Sequence, residues 1–239
     1  MHGNETLPPA PRLLSVAQMR EADRRCIEEL GMPGAVLMQQ AGSAIFEVLQ
    51  SLNPQGRPLG VVCGKGNNGG DGFVVARLAM LAGWETQVLL LADPSELTGD
   101  AATFLQVYRR LGGLLEAATT RTAALQGLER LATSGWLLDA LLGTGVTGAP
   151  RGLMGDVIAA WPEAPTVAVD IPSGLDADTG IPSEPCIHAS HTVTIQYGKQ
   201  GFSNPAAQSY LGQVHVVDIG IPPVCADDAA WSRLQARFG

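Results

Sequence analysis

Three short segments of this 239-residue chain combine glycine with side chains able to do chemistry. The first, Gly64-Lys65-Gly66-Asn67-Asn68-Gly69-Gly70-Asp71-Gly72, holds five glycines in nine residues. Glycine lets a backbone approach a ligand closely. A run of free N–H groups feeding a helix N-terminus attracts anions such as phosphate. Lys65 precedes the two asparagines and no Gly-Lys-Ser/Thr closes the segment, so it is not a Walker A loop, and the dinucleotide GxGxxG register is also missing. Two asparagines and Asp71 inside the turn favour a ligand site over a plain connection. The second segment runs from Leu138-Asp139 through Gly143-Thr144-Gly145 to Gly148. Asp139 ends an apolar stretch, where a carboxylate needs a cation or hydrogen-bond donors. The third is Val169-Asp170-Ile171-Pro172-Ser173-Gly174. Pro172 and Gly174 shape a turn that presents Ser173, but the pattern is not G-x-S-x-G and no histidine stands beside it, which argues against a serine hydrolase.

Asn68, Asp139 and Ser173 offer only oxygen donors. Such hard ligands suit alkali or alkaline-earth ions, and one carboxylate among neutral oxygens suits a monovalent one. Asp170 is then the candidate acid/base, a carboxylate in a partly dry crevice. The only lysines, Lys65 and Lys199, stand against thirteen arginines and are both glycine-flanked. Ligand contact and chance are equally compatible with that placement.

These residues need a frame that gathers them. Ser15 to Gln18 reads as a capping box, opening a helix with Val16, Met19, Ala22, Cys26, Ile27 and Leu30 at helical spacing, stopped by Gly31 and Pro33. A second helix is expected over 35–50. From residue 59 onward, expected strands at 59–63, 87–91, 114–117, 136–139 and 166–170 alternate with helices at 70–82, 98–111, 121–132 and 152–160. That alternation predicts an α/β protein with a doubly wound, mostly parallel sheet. The continuous apolar strands imply burial on both faces. After Gly180 no further helix is expected, only strands near 192–196 and 213–217. Ligands of such sheets bind beyond the carboxyl ends of the strands, which is where the three segments fall. One domain is expected over 13–222, after a disordered Pro-rich stretch at 1–12 and before a tail at 223–239 that reads as a closing helix or a linker.

Composition narrows the class. With 46% hydrophobic and 16% charged residues the chain can bury a core. Its net charge of −8 and lack of a basic stripe argue against nucleic acid and against an anionic membrane surface. Four scattered cysteines without a CxxC pair fit a reducing, cytoplasmic setting rather than a disulfide or zinc framework. No apolar run reaches the about 18 residues of a membrane span, and the first residues lack the apolar core of a secretory signal.

Taken in order, the three segments, with Thr192-Val193-Thr194, Gly198-Lys199 and Val217-Asp218-Ile219-Gly220-Ile221-Pro222, resemble the NAD(P)H-hydrate epimerase family, the YjeF N-terminal domain, over about residues 14–222. The resemblance implies a Rossmann-like three-layer α/β/α sandwich with two N-terminal helices. It implies an isomerase of metabolite repair that interconverts the R and S forms of hydrated NADH or NADPH (NADHX and NADPHX) at C6 of the nicotinamide ring. It implies one potassium ion (K+) per subunit, held by Asn68, Asp139 and Ser173. Substrate contacts carry over to Asn67, Asn68, Gly69, Gly70 and Asp71, to Gly143, Thr144, Gly145, Val146, Thr147, Gly148 and Ala149, and to Asp170, which matches the family's acid/base. Lys199 is added as a substrate contact on its place in the Gly-Lys pair. A hydrate dehydratase, fused or separate, is the implied partner, and the helices at 15–50 either cover the sheet or form a homodimer interface. One departure stands out: the second helix reads Leu37-Met38-Gln39-Gln40-Ala41-Gly42 where many relatives have Glu-Asn, so Gln39 lacks a carboxylate that could meet a ribose. Two rivals are a non-catalytic nucleotide- or partner-binding module of the same fold, and a hydride-transfer enzyme using Asp93, 21 residues past Gly72, on a ribose.

Overall fold

The computed structural model describes residues 12–145 and 148–238. In chain order its elements are β1 (Leu13–Leu14), α1 (Val16–Arg24), α2 (Gly34–Leu52), β2 (Leu59–Cys63), α3 (Asn67–Leu81), β3 (Thr86–Leu90), α4 (Gly99–Arg110), β4 (Leu114–Ala117), α5 (Arg121–Leu131), β5 (Trp136–Ala140), α6 (Gly152–Ala159), β6 (Thr166–Val169), β7 (His191–Ile195), β8 (Gly198–Lys199), α7 (Gln208–Leu211), β9 (Gln213–Val217) and α8 (Asp228–Phe238). Seven strands form one sheet in the order β4-β3-β2-β5-β6-β7-β9, and every neighbouring pair is parallel. The chain winds outward through β2, β3 and β4, then returns to lay β5 on the other side of β2. The winding therefore reverses between β2 and β5, and a crevice opens at that point beyond their carboxyl ends.

The apolar runs explain the layering. Val61, Leu138 and Val167 point into a core shared with Ile45 of α2, Phe73 of α3 and Leu105 of α4. Their neighbours Val62 and Leu137 point the opposite way, against Leu128 of α5 and Val157 of α6. Successive strand residues alternate faces, so a strand covered on both sides must be apolar throughout. Each such side chain contributes roughly 1.5–3 kcal/mol on burial. The expected three-layer α/β/α sandwich is thus the observed one. Among the described residues no helix is long and apolar enough to cross a membrane.

Three elements depart from the sequence reading. Helix α3 starts at Asn67, three residues before the expected start, so the Asn-Asn-Gly-Gly-Asp run is a first helical turn and not a loop. Glycine disfavours a helix by local propensity, but here close packing decides: a Cβ on Gly69 would run into the Gly64 carbonyl, and one on Gly70 would meet the Met38 thioether at 2.6 Å. The first helix ends as a regular α-helix at Arg24, and Arg25–Glu29 form a π-helical turn. That wider turn aims Arg25 at the Cys225 carbonyl (3.0 Å) and the Asp228 carboxylate (2.7 Å). Finally, α7 departs from the expectation that helices cease after Gly180, and α8 occupies the tail that reads as a closing helix or a linker. Trp231 of α8 is buried and docks the helix under the Arg25 guanidinium at 5.4 Å. The short β1 strand pairs with β8, Leu14 opposite Lys199, and thereby pins α1 beside the sheet edge.

Candidate functional site

A cleft of about 650 Å³ lies over the carboxyl ends of β2, β5, β6 and β7. Its floor is the strand ends and the first turn of α3, and α1 and α2 supply the facing wall. Asn67, Asn68, Asp71, Gly143, Thr144, Gly145, Asp170 and Lys199 all line it. Gly69 and Gly70 do not; they are buried packing positions of α3. Gly148 lines a smaller neighbouring hollow of about 260 Å³, and Ala149 lines neither. Val146 and Thr147 lie outside the described residues.

Asp170 sits just past β6 with φ +65°, in the left-handed region that a non-glycine residue enters at a cost of about 1–2 kcal/mol. The twist turns its carboxylate toward the end of β7. There Oδ1 accepts from the Ile195 N–H at 3.1 Å and the Thr194 hydroxyl at 3.3 Å, and forms an ion pair with Lys199 Nζ at 2.5 Å. Lys199 is 1% exposed. Its ammonium also donates to Thr194 Oγ1 (3.0 Å), the Tyr197 carbonyl (3.1 Å) and the Ile195 carbonyl (3.2 Å). With its protons engaged by the chain, Lys199 acts on Asp170 and has little left to offer a substrate directly.

Asp139 and Ser173 form a second cluster beneath the Gly143 turn. Ser173 donates its N–H to Asp139 Oδ2 (2.8 Å) and its hydroxyl to Oδ1 (2.6 Å), and the Leu141 N–H reaches Oδ1 at 3.2 Å. The Ser173 hydroxyl oxygen in turn accepts from the Leu142 N–H at 3.0 Å. Complete burial raises the Asp139 carboxyl to about 6, and the bonds from Ser173 and Leu141 pull the other way. Asn68 stands beside this cluster: its Oδ1 is 3.1 Å from where a Cβ on Gly143 would sit. Its Nδ2 is buried with no partner among the described residues. A buried carboxylate, a hydroxyl and an amide that no bond holds in place make an oxygen-donor set suited to a singly charged cation.

The start of α3 presents backbone N–H groups of the kind that suit an anion. Gly66 caps the helix with no side-chain bond, so the N–H groups of its first turn remain available beside the cleft. Lys65 is exposed and paired with Glu96 at 2.7 Å. Gln39 does not face the cleft; it bonds Arg77 (2.6 Å) and Ser43 (2.8 Å), and the missing carboxylate leaves no gap in the site. Asp93 caps the turn at Pro94–Glu96, accepting from the Ser95 N–H at 2.8 Å and its hydroxyl at 2.6 Å, and is not poised over a ribose.

Arg20 and Asp23 on α1 line the cleft and were not signalled by any motif. Their i,i+3 spacing beside the Met19–Ala22–Cys26 stripe is the only trace, and it reads equally well as a solvated helix face. Desolvation and the nearby Asp170 carboxylate raise Asp23 to about 6, and Lys199 lowers it. Burial first, then Asp170 and Asp23, push Asp71 well above the ordinary carboxylate range.

The fold and cleft define a doubly wound α/β protein with a carboxylate–ammonium pair and the N-terminus of a helix at its switch point. Residues 34–201 match the model of the YjeF-related protein N-terminus family, and the chain belongs to that family. It is 38% identical over 218 residues to the NAD(P)H-hydrate epimerase of Rhodopirellula baltica, covering 90% of this chain and 86% of that one. It is 41% identical over 238 residues to the bifunctional NAD(P)H-hydrate repair enzyme Nnr of Moorella thermoacetica, covering 93% of this chain but only 45% of that longer protein. The crystal structure of yeast YNL200c superimposes with a TM-score of 0.70 at 24% identity, over 80% of this chain and 83% of that one, which supports the fold.

Proposed function

We infer that this chain is an NAD(P)H-hydrate epimerase, an isomerase that interconverts the R and S forms of NADHX and NADPHX. The observation that carries the reading is the Asp170–Lys199 pair set at the switch-point cleft, in a chain 38% identical to a named epimerase over 90% of its length. C6 of the hydrate bears a hydroxyl next to the ring nitrogen. Loss of that hydroxyl as water leaves an iminium ion, and return of water to the other face completes the epimerisation. Asp170 serves the face it looks upon: it protonates a departing hydroxyl or accepts a proton from incoming water, and its charge stabilises the cation between. Lys199 holds the carboxylate oriented and, being buried, keeps its charge local. The free N–H groups of α3 and of the Gly143–Gly145 turn receive the pyrophosphate without a large basic patch, which suits the chain's net charge of −8.

Asn68, Asp139 and Ser173 are the residues that would hold potassium. The ion would supply a fixed positive charge against the buried Asp139 carboxylate, under the turn that faces the substrate. Four unpaired cysteines fit a reducing cytoplasm. The match covers 45% of the bifunctional relative, and a hydrate dehydratase, fused or separate, is the partner we assign to this chain on its likeness to such enzymes.

The direct test is chiral chromatography of purified R-hydrate of NADH, with and without the protein, in potassium buffer. Accelerated approach to the epimer equilibrium is expected, with Asp170→Asn slower by roughly 10²–10⁴-fold. Equal approach in both samples would remove the epimerase reading. In labelled water, each turnover through the iminium ion places the heavy oxygen at C6; epimerisation without label would favour ring opening instead.

A further inference from the structure

Epimerisation at C6 takes water from one face of a ring and returns it to the other, and Asp170 rises from one side of the cleft only. We propose that Asp23 of α1 is the second proton-transferring group of the epimerisation, acting on the ring face opposite Asp170; this rests on the epimerase reading above. Helix α1 lies across the cleft from the strand ends. One turn before Asp23, the Arg20 guanidinium reaches the Thr144 and Gly145 carbonyls at 3.5 and 3.4 Å, which seats the helix against the Gly143–Gly145 turn. Asp23 is half-buried and lines the same cleft as Asp170, Asp71 and Lys199. Its neighbour on the helix, Glu21, is taken up by Arg24 and Arg25, whereas Asp23 has no hydrogen-bond or ion-pair partner among the described residues.

The charge count points the same way. Four carboxylates, on Asp23, Asp71, Asp100 and Asp170, and three cations, Arg20, Lys65 and Lys199, line the cleft. Lys65 is taken up by Glu96 and Arg20 by the Thr144 and Gly145 carbonyls, and Lys199 contacts Asp170, Thr194, Ile195 and Tyr197. Asp71 is 7% exposed, lines the cleft and accepts no hydrogen bond among the described residues. Partly buried carboxylates that outnumber the cations around them favour retention of a proton. Two acids in different environments, one in an ion pair and one without a partner, are suited to opposite roles as base and acid.

The step balances. The Asp23 carboxyl gives its proton to the hydroxyl on C6, the C6–O bond breaks, and water leaves. The ring-nitrogen lone pair forms the C=N bond of the iminium ion. A second water adds to the face of Asp170, forming a new C6–O bond, and its proton passes to the Asp170 carboxylate. One proton has moved from Asp23 to Asp170 and no electrons are gained or lost. The reverse epimerisation, or exchange with solvent at the cleft mouth, restores the starting state.

The test compares kcat, KM and pH profile of wild type, Asp23→Asn and Asp23→Glu with R-hydrate in potassium buffer. The charged and titratable groups of the cleft around Asp23 are Asp170, Asp71, Asp100, Lys199 and Lys65, with Arg20 and the Cys26 thiol on its own side of the fold. Asp23→Asn is expected to lower kcat by roughly 10²-fold or more with KM changed only a few-fold, and to remove the limb of the profile that titrates near 6. Asp23→Glu is expected to restore much of the rate with that limb displaced. A folded Asp23→Asn within threefold of wild type, or a loss confined to KM, overturns the proposal. If Asp23→Asn does not fold, Asp23→Glu decides: a displaced limb supports the proposal and an unchanged limb overturns it. An inactive wild type would instead sink the epimerase reading, so the two failures are distinguishable.

Discussion

Replacing Lys199 by methionine deletes the ammonium while keeping a straight side chain of similar length. The wild-type group is 1% exposed and reaches the Asp170 carboxylate at 2.5 Å and three further oxygens at 3.0–3.2 Å. Its loss leaves Asp170 with two weaker donors, the Ile195 N–H at 3.1 Å and the Thr194 hydroxyl at 3.3 Å. Removing one partner of a buried pair typically costs about 3–5 kcal/mol, because the other charge stays behind. For a domain of this size, roughly 2–4 °C per kcal/mol then gives a fall in Tm of about 6–20 °C. The deficit should also depend on pH. Desolvation raises Asp23 to about 6, the Asp170 charge adds to this, and Lys199 opposes it; without Lys199 the native state holds its protons to still higher pH. Between about 4 and the folded value the native state binds more protons than the unfolded chain, so stability falls as pH rises. The Lys199→Met deficit should therefore be largest near pH 8 and shrink toward pH 5. Adding Asp170→Asn removes the stranded carboxylate and should recover part of the loss, a coupling readable in a double-mutant cycle by urea denaturation. A loss below about 1 kcal/mol at pH 8, a deficit that grows on acidification, or strict additivity with Asp170→Asn would refute the reasoning.

Potassium chloride should raise Tm above that in choline chloride at equal ionic strength, and Ser173→Ala should abolish the difference, checked by differential scanning fluorimetry. Gly69→Ala would set a methyl group into the Gly64 carbonyl; a loss of about 1–3 kcal/mol in urea denaturation is expected, together with weaker substrate binding at the start of α3. His191 Nδ1 and His215 Nε2 share a hydrogen bond of 3.1 Å across β7 and β9. Burial, and for His191 also the second ring, hold both below the ordinary histidine value. The unfolded chain thus takes up protons first, and stability is lost as pH falls through about 6.5. His215→Gln should flatten that loss between pH 7.5 and 5, and an unchanged slope would show that the pair does not titrate on unfolding.

Much of the fold is legible in local pattern. Runs such as Leu59–Cys63 and residues 136–138 carry no charged or polar side chain because helices cover both faces of a parallel sheet, and the alternation with amphipathic stretches fixes the winding. The strand-end segments are legible for a related reason: an aspartate that closes an apolar strand, or five glycines after one, is costly or poorly structured unless something is gained there. The residues that meet across layers are not legible in this way. Lys199 and Asp170 are 29 positions apart, and nothing in Gly198-Lys199-Gln200 says that the ammonium is buried under that carboxylate. Asp23 lies on a helix face that looks solvated until α1 is laid over the sheet edge by the Leu14–Lys199 pairing. The first turn of α3 is helical because Gly69 and Gly70 nest against Gly64 and Met38, contacts that outweigh poor propensity. Local periodicity is set by which side of each element must leave water, and that is written along the chain. Which charges then share one dry cleft depends on layers brought together from distant positions, and only the packed molecule decides it.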